Sequence, residues 1–266
     1  MPSLDPLLNH VGPFLLVLFR MSGLLVFSPV LSSSLLPLRL RALLTFAFAL
    51  AVYPALGRVN HTPVSTDLMS LAPAIFGETL IGAALGLMAA LPMYAVQLGG
   101  LVMGQQAGMS LGQVYNPALD VETDTLGQFL QYGALVLFIM MGGLEAIFVA
   151  LANTFANVPI MHAGVGGGGG GFAPVALLSG LIASGFELAL RVSSPVLCII
   201  LIETIATALL ARTIPQINVQ SLGFSIKVVI TMVALAAGVA GIMHATGRST
   251  METINAAVRW TESLGR

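Results

Sequence analysis

The chain has 266 residues, of which 57% are hydrophobic and only 8% are charged. Soluble domains carry about 25% charged residues, so this composition indicates an integral membrane protein or the core of a membrane assembly. The net charge of −1 gives no basic surface for nucleic acid. The single cysteine, Cys198, excludes an internal disulfide and a cysteine metal cluster. We expect Cys198 to be a small buried apolar residue.

Six apolar segments follow one another along the chain, at about 11–31, 42–57, 71–103, 126–152, 173–211 and 223–245. A helix of roughly 20 apolar residues crosses a bilayer. The third and fifth segments are longer than this, about 50 and 58 Å as helices, and they contain Pro92 and Pro195, which can kink or divide a helix. The sequence therefore predicts an all-α protein with six to eight apolar helices. No Lys or Arg precedes the first segment, so we expect it to remain in the mature protein.

The arginines do not give a consistent membrane topology. Arg39 and Arg41 favour a cytoplasmic loop after the first segment, whereas Arg248, Arg259 and Arg266 favour a cytoplasmic C-terminus. An even number of crossings cannot satisfy both groups. An odd number resolves the conflict, and so does an assembly that does not follow ordinary bilayer topology.

Glycines at four-residue spacing predict close helix packing, since a ridge without side chains lets another helix approach. The ridge contains Gly82, Gly86, Gly100, Gly104 and Gly108. Ala237 and Gly241 repeat the spacing more weakly. Glycine costs about 1 kcal/mol relative to alanine in a helix, which favours a packing role for such a ridge.

Charged residues inside the apolar segments are expected to face a protein interior, a partner or a wet cavity. They are Arg20, Glu78, Glu145, Glu187, Arg191, Glu203 and Lys227. Glu187 and Arg191 are four residues apart, and this spacing predicts a local ion pair. For Arg20, Glu78, Glu203 and Lys227 we expect contacts with other segments or other subunits. A proton or ion pathway is the alternative.

The catalytic patterns in this chain lack their structural context. The sequence GMSLG at 108–112 matches G-x-S-x-G, but a nucleophile elbow needs a preceding strand and a partnered histidine. The glycine run satisfies G-x-G-x-x-G at 164–169 only because any such run does, and we interpret its six glycines at 166–171 as a flexible linker. With no Walker lysine and no cluster of metal ligands, the sequence predicts no enzyme, no cofactor and no metal site.

Three acids precede the fourth apolar segment. Asp120, Glu122 and Asp124 lie just before Thr125 and Gln128, which have the spacing of a capping box. Negative charge is favourable at a helix N-terminus. These acids are therefore assigned to helix capping and solvation, with the helix beginning near Thr125.

Three blocks in order carry a resemblance to a known family: GETLIGAALG at 77–86, QLGGLVMGQQAG at 97–108, and PQIN at 215–218. With the apolar segments around them, they make the chain similar to the FliR/SctT family of type III secretion export-gate subunits, over about residues 14–245. The family includes the flagellar FliR proteins. The resemblance implies kinked helical hairpins within a helical gate complex, and an inner-membrane location in the flagellar basal body, with the gate above the membrane on the periplasmic side.

The resemblance also implies a domain order and partners. A FliP-like part is expected at 1–165 and a FliQ-like hairpin at 172–247, separated by the 166–171 linker and followed by a polar tail at 248–266. The implied partners are FliP-type and FliQ-type subunits, an FlhB-type protein, membrane lipid and unfolded export substrates in transit, with no nucleic acid.

By position in the family, the segment at about 108–122 is expected to plug the pore, although from the residues alone an ordinary loop remains open. The plug residues would be Gly108, Met109, Ser110, Leu111, Gly112, Val114, Tyr115, Asn116, Pro117 and Leu119. Pro215, Gln216 and Asn218 would form the hairpin turn before Lys227. Gln97 and Gln106 are expected to make polar or inter-subunit contacts.

Two functions follow from these patterns. The first is a structural and gating subunit of the flagellar type III export gate, which forms the channel for unfolded proteins together with FliP-type and FliQ-type subunits. The second is a self-contained membrane transporter or ion channel in which Arg20, Glu78 and Lys227 form the pathway.

Overall fold

The structure is a computed structural model, and it describes residues 5–31, 37–56, 68–109, 125–158, 160, 173–213 and 219–263. All regular structure in these ranges is helical, which confirms the predicted all-α class. The seven helices described are α1 (Asp5–Phe27), α2 (Leu38–Ala55), α3 (Leu68–Gln106), α4 (Thr125–Met140), α5 (Gly143–Asn157), α6 (Ala173–Thr213) and α7 (Val219–Ser263).

Five of the described helices are long and apolar enough to cross a membrane, namely α1, α2, α3, α6 and α7. The pair of α4 and α5 would make a sixth crossing if both belong to one broken span. The helices α3, α6 and α7 have 39, 41 and 45 residues, or roughly 58, 62 and 68 Å at the usual helical rise. The apolar core of a bilayer is about 30 Å thick, so these three helices are far longer than a straight crossing requires.

The breaks in the helices differ from those expected at prolines. Both α3 and α6 are helical through Pro92 and Pro195, so these prolines do not divide their helices, which was one of the two outcomes that the sequence left open. Apolar helices tolerate proline where neighbouring groups satisfy the freed backbone. The predicted segment 126–152 is divided instead, at Met141 and Gly142, where Gly142 has a left-handed φ of 73°.

Two further helix boundaries, the start of α4 and the end of α7, test predictions made from the sequence. The helix α4 begins at Thr125, which confirms the predicted helix start. At the other end of the chain, α7 is helical to Ser263, so most of the polar tail predicted at 248–266 continues this helix.

The chain forms two compact units that alternate along the sequence. Unit 1 comprises Met1–Leu91, Gly142–Leu181 and Met251–Arg266, and unit 2 comprises Pro92–Met141 and Ile182–Thr250. The helices α3, α6 and α7 each contribute one part to each unit. The division into a FliP-like part and a FliQ-like hairpin at 166–171 stays a prediction.

In unit 1, an apolar core joins α1, α3 and α5. Leu16, Met21 and Leu24 of α1, Leu85 of α3 and Leu151 of α5 are all essentially inaccessible to solvent. The helix α2 packs on α1 through aromatic rings, with the Phe14 ring centroid 5.7 Å from that of Phe46 and 5.6 Å from that of Tyr53. The core of unit 1 therefore includes buried residues of α1, α3 and α5, and α2 packs against α1.

In unit 2, one stripe of α6 packs into a core formed with α3, α4 and α7. This stripe has four-residue spacing and consists of Leu188, Val192, Val196 and Ile200. Cys198 is exposed, so the expectation that it is buried is wrong. Two residues along a helix are about 200° of rotation, and Cys198 therefore lies almost opposite Val196.

Candidate functional site

The glycine ridge of α3 lies directly against the backbone of α1 in unit 1. A Cβ built on Gly82 would collide with the carbonyl of Arg20 and lie 2.9 Å from the nitrogen of Leu24. One on Gly86 would lie 2.7 Å from the oxygen of Leu24. Real Cβ atoms essentially never approach other atoms this closely, so at both predicted packing positions only glycine fits.

This close contact between α1 and α3, here called the glycine seam, also contains a glycine of α1 that sequence reasoning missed. A Cβ on Gly23 would lie 2.8 Å from the nitrogen of Ala83 and would collide with the carbonyl of Thr79. No second glycine lies four residues away on α1, so the spacing rule gives no signal for Gly23. The seam is therefore two-sided, with small residues on both helices.

Close approach of α1 and α3 brings the first two intramembrane charges together. The Arg20 Nε donates to Oε2 of Glu78 at 2.5 Å, and both side chains are fully buried. Glu78 precedes Gly82 by one helical turn, so the ion pair lies beside the seam. The two residues for which the sequence offered no local partner are thus paired with each other between α1 and α3.

The rest of the Arg20 guanidinium is held by α5. Nη1 donates to the hydroxyl of Thr154 at 3.0 Å, and Nη2 donates to the carbonyl of Val158 at 3.3 Å. The Phe155 ring centroid lies 4.3 Å from Cζ of Arg20, within the range of a cation–π contact. Thr154 in turn donates to Leu151 at 2.6 Å. Every guanidinium nitrogen therefore has an acceptor, which is what a buried arginine requires.

A second glycine contact lies in unit 2, between α3 and α4. A Cβ on Gly100 would lie 2.6 Å from Cα of Gly127, so two glycines meet there. Gly99 faces α6, where an added Cβ would lie 2.9 Å from the carbonyl of Ala189. Gly104 differs, since an added Cβ would lie 3.8 Å from Leu126, which is ordinary van der Waals contact. Three of the four predicted packing glycines thus lie where only glycine fits, and Gly104 does not.

The helix α3 ends in a glycine cap. Gly108 has φ of 85°, and its N–H bonds to the carbonyl of Gln105 at 3.0 Å. The N–H of Met109 bonds to the carbonyl of Gly104 at 3.0 Å. These two bonds and the left-handed glycine form the Schellman arrangement at helix C-termini. Gly108 therefore ends the helix, and the chain turns there into the segment predicted as the plug.

The remaining charged pair lies in unit 2 between α6 and α7. The Lys227 Nζ is 3.9 Å from Oε2 of Glu203, with the lysine side chain 24% exposed and the glutamate 5% exposed. The predicted pair of Glu187 and Arg191 is confirmed, at 2.9 Å on the exposed surface of α6. Of the glutamines, Gln97 is half-buried in α3 and Gln106 is exposed at its end.

Several predicted site residues lie outside the described residues. They are the plug residues Ser110, Leu111, Gly112, Val114, Tyr115, Asn116, Pro117 and Leu119, and the hairpin-turn residues Pro215, Gln216 and Asn218. Among the described residues, no group of three or more His, Cys, Asp or Glu side chains is placed to hold a metal ion.

Comparison with known proteins identifies the family. The family model of bacterial export proteins, family 1, matches residues 11–253. The chain is 26% identical to the flagellar biosynthetic protein FliR of Bacillus subtilis (strain 168), over 87% of this chain and 88% of the relative. It is 29% identical to the FliR protein of Aquifex aeolicus (strain VF5), over 83% of each chain.

A relative that is not named as a flagellar protein is equally similar. The Yop proteins translocation protein T of Yersinia pestis is 27% identical over 86% of this chain and 85% of the relative. The family match covers the helices of both compact units, including the glycine seam and the buried ion pair. The chain belongs to family 1 of the bacterial export proteins, the family that it shares with the flagellar FliR proteins and their type III secretion relatives.

Proposed function

We propose that the chain is a non-enzymatic structural and gating subunit of the flagellar type III export gate in the bacterial inner membrane. In this role it forms the channel for unfolded flagellar proteins together with FliP-type and FliQ-type subunits, next to an FlhB-type protein. The proposal extends the family membership from export in general to one position within the apparatus.

The proposal rests on the long, exposed apolar surface of α6 and α7. Their apolar stretches run over 35 and 38 residues, and only 17% of an 18-residue apolar window in each is buried within this chain. At roughly 53 and 57 Å, they exceed the apolar thickness of a bilayer, about 30 Å. Lipid alone would leave apolar surface in water, whereas neighbouring helical subunits would cover it along its full length.

The segment at about 108–122 is the proposed plug of this gate. Support comes from its first residue, since the positive φ of Gly108 ends α3 and directs the chain away from the helix axis. The segment contains apolar side chains suited to filling a narrow channel, including Leu111, Val114 and Tyr115, whereas Met109 packs against the core of unit 2. Irregular backbone within a membrane is tolerated where it lines or fills a pore.

The charged residues considered for an ion pathway each have an opposite charge nearby within the chain. Arg20 and Glu78 neutralise each other in a fully buried pair, and Lys227 lies near Glu203. These pairings favour a structural role for the charges over an ion pathway.

Co-purification tests the proposal. The tagged chain is expressed with FliP-type and FliQ-type subunits from the same organism and extracted in mild detergent. We expect a stable complex that contains all three, together with loss of flagellar export when this chain is deleted. A chain that purifies as a monomer beside assembled FliP-type and FliQ-type subunits, in cells that still export, would contradict it.

A further inference from the structure

Unit 2 contains a cavity of about 440 Å³ where the end of α3 faces α6 and α7. Its polar lining includes Gln106 of α3, Glu203 and Thr207 of α6, and Lys227 of α7. Much of the remaining lining is alanine and glycine, including Gly108 and Ala208. The cavity is thus roomy and polar at its charged end, and it offers few large side chains for contact with a ligand.

Glu203 gives this cavity an unmet hydrogen-bonding capacity. Its side chain is 5% exposed, and Oε1 is buried without a hydrogen-bond partner within the described part of the chain. The other oxygen, Oε2, is 3.5 Å from the Thr204 hydroxyl and 3.9 Å from Nζ of Lys227. A buried acceptor without a donor is costly and rare. Since no donor to Oε1 lies among the described residues, a ligand that enters the cavity could supply one.

Both hydrogen-bond donors and hydrogen-bond acceptors line the cavity. The Lys227 ammonium and the Gln106 amide can donate, while Glu203 accepts. The Thr204 hydroxyl donates to the backbone carbonyl of Ile200 at 2.8 Å, and the Thr207 hydroxyl donates to the backbone carbonyl of Glu203 at 3.0 Å. Both hydroxyl oxygens can therefore still accept a hydrogen bond from a ligand. A ligand that fits must therefore present a hydrogen-bond donor and an acceptor close together, as neighbouring N–H and C=O groups do.

The main chain of an extended polypeptide has this chemistry, because each residue other than proline carries one N–H and one C=O. Alanine and glycine in the lining give no pocket that selects a particular side chain. We propose that this cavity binds the backbone of an unfolded export substrate in transit, with a substrate N–H donating to Glu203 and a substrate carbonyl accepting from Lys227 or Gln106.

This inference rests on the proposed function and deepens it. Gly108 lines the cavity and is also the first residue of the proposed plug, so the cavity lies at the base of that segment. A substrate held by its backbone there would be recognised independently of its side chains. Such recognition suits a channel that passes many different unfolded proteins.

Site-specific photocrosslinking in the full export apparatus tests the inference. A photoreactive amino acid replaces Ala208, which lines the cavity, or Leu201, which is 60% exposed on the same helix and serves as the matched control. The probe is an export substrate stalled by fusion to a stably folded domain. We expect crosslinks to the stalled substrate from position 208 but not from position 201.

The chemistry of the stalled segment distinguishes backbone binding from side-chain binding. A Gly/Ser segment should crosslink as well as the native one, because its backbone is unchanged. A proline-rich segment lacks N–H groups and should crosslink roughly tenfold less, the scale of one lost charge-assisted hydrogen bond. The Glu203→Leu substitution should have the same effect, and co-purification with the partner subunits confirms that this variant still folds.

Two results would overturn the inference. One is a crosslink from position 208 to another gate subunit that stays unchanged when substrate is stalled, because the cavity would then be a subunit interface. The other is equal crosslinking of the proline-rich and native segments. Failure of the proposed function would differ from both, since deletion of this chain would then leave export intact.

Discussion

Gly82 of α3 lies against the backbone carbonyl of Arg20 of α1, and the side chain of that same arginine pairs with Glu78 one turn earlier on α3. The close backbone approach and the buried ion pair are therefore one arrangement. A helix held farther away by a larger residue at position 82 would also separate the two charges.

The first prediction concerns this glycine. We expect Gly82→Ala to destabilise the chain by a few kcal/mol, because the added methyl group meets backbone atoms that cannot move away by rotating a side chain. The measurement is the melting temperature of the purified chain in detergent.

The control for Gly82 is Gly241 of α7, where an added Cβ would meet nothing within 4 Å. Gly241→Ala should be neutral or should stabilise the chain by up to about 1 kcal/mol, because alanine is the better helix former. Equal melting temperatures for the two variants would contradict a tight seam at Gly82.

The second prediction concerns the buried ion pair. Glu78→Leu leaves the Arg20 guanidinium buried without its counter-ion, and we expect a cost of about 3–5 kcal/mol. Replacing both residues, as Arg20→Met with Glu78→Leu, should cost clearly less than the sum of the single substitutions. Thermal unfolding of the two single variants and the double variant measures this coupling.

A surface pair provides the contrast. Glu187 and Arg191 are 70% and 62% exposed in their ion pair, and such pairs contribute about 0–1 kcal/mol. Replacing both by alanine should leave the melting temperature nearly unchanged. A large loss there would mean that α6 depends on its exposed charges, for which the structure gives no reason.

The third prediction concerns the break between α4 and α5. Gly142 has φ of 73° and open space around its Cα, so a side chain would cost only backbone strain. We expect Gly142→Ala to destabilise by about 1–2 kcal/mol and Gly142→Asn by less, since asparagine tolerates this conformation. Gly238, which is helical with equally open space, should accept alanine without loss, and the same melting experiment compares the three variants.

The fourth prediction tests the proposed plug. Deleting residues 110–118 should make the assembled gate conduct small ions, because the segment that fills the channel is gone. Conductance of the purified complex in planar bilayers is the measurement, and a replacement of the same length by Gly and Ser separates the loss of bulky side chains from the shortening. Unchanged conductance in both variants would argue for an ordinary loop.

Local spacing rules predicted much of this fold. Residues close together in the sequence determine three of these features, which are the helical class, the start of α4 at Thr125 and the pair of Glu187 and Arg191. They can therefore be predicted without knowledge of tertiary contacts. The packing role of Gly82 and Gly86 was also predictable, because a four-residue spacing marks one face of a helix.

Other features depend on tertiary contacts that spacing does not reveal. Arg20 meets Glu78, which is 58 residues away, and Gly23 is required only because α3 packs there. Prolines were expected to kink or divide helices, but α3 and α6 continue through them, while Gly142 divides a segment without proline. Cys198 was expected to be buried because its neighbours are apolar, yet exposure is decided by which stripe of α6 enters the core.

The break at Gly142 also bears on the direction of the chain through the membrane. With 16 and 15 residues, α4 and α5 reach roughly 24 and 22 Å each, short of the apolar thickness of a bilayer, about 30 Å. If both enter and leave on one side, five crossings remain. An odd number puts the first turn of α2, which contains Arg39 and Arg41, on the same side as the C-terminus. One left-handed glycine would then be enough to put Arg39 and Arg41 on the same side as Arg248, Arg259 and Arg266.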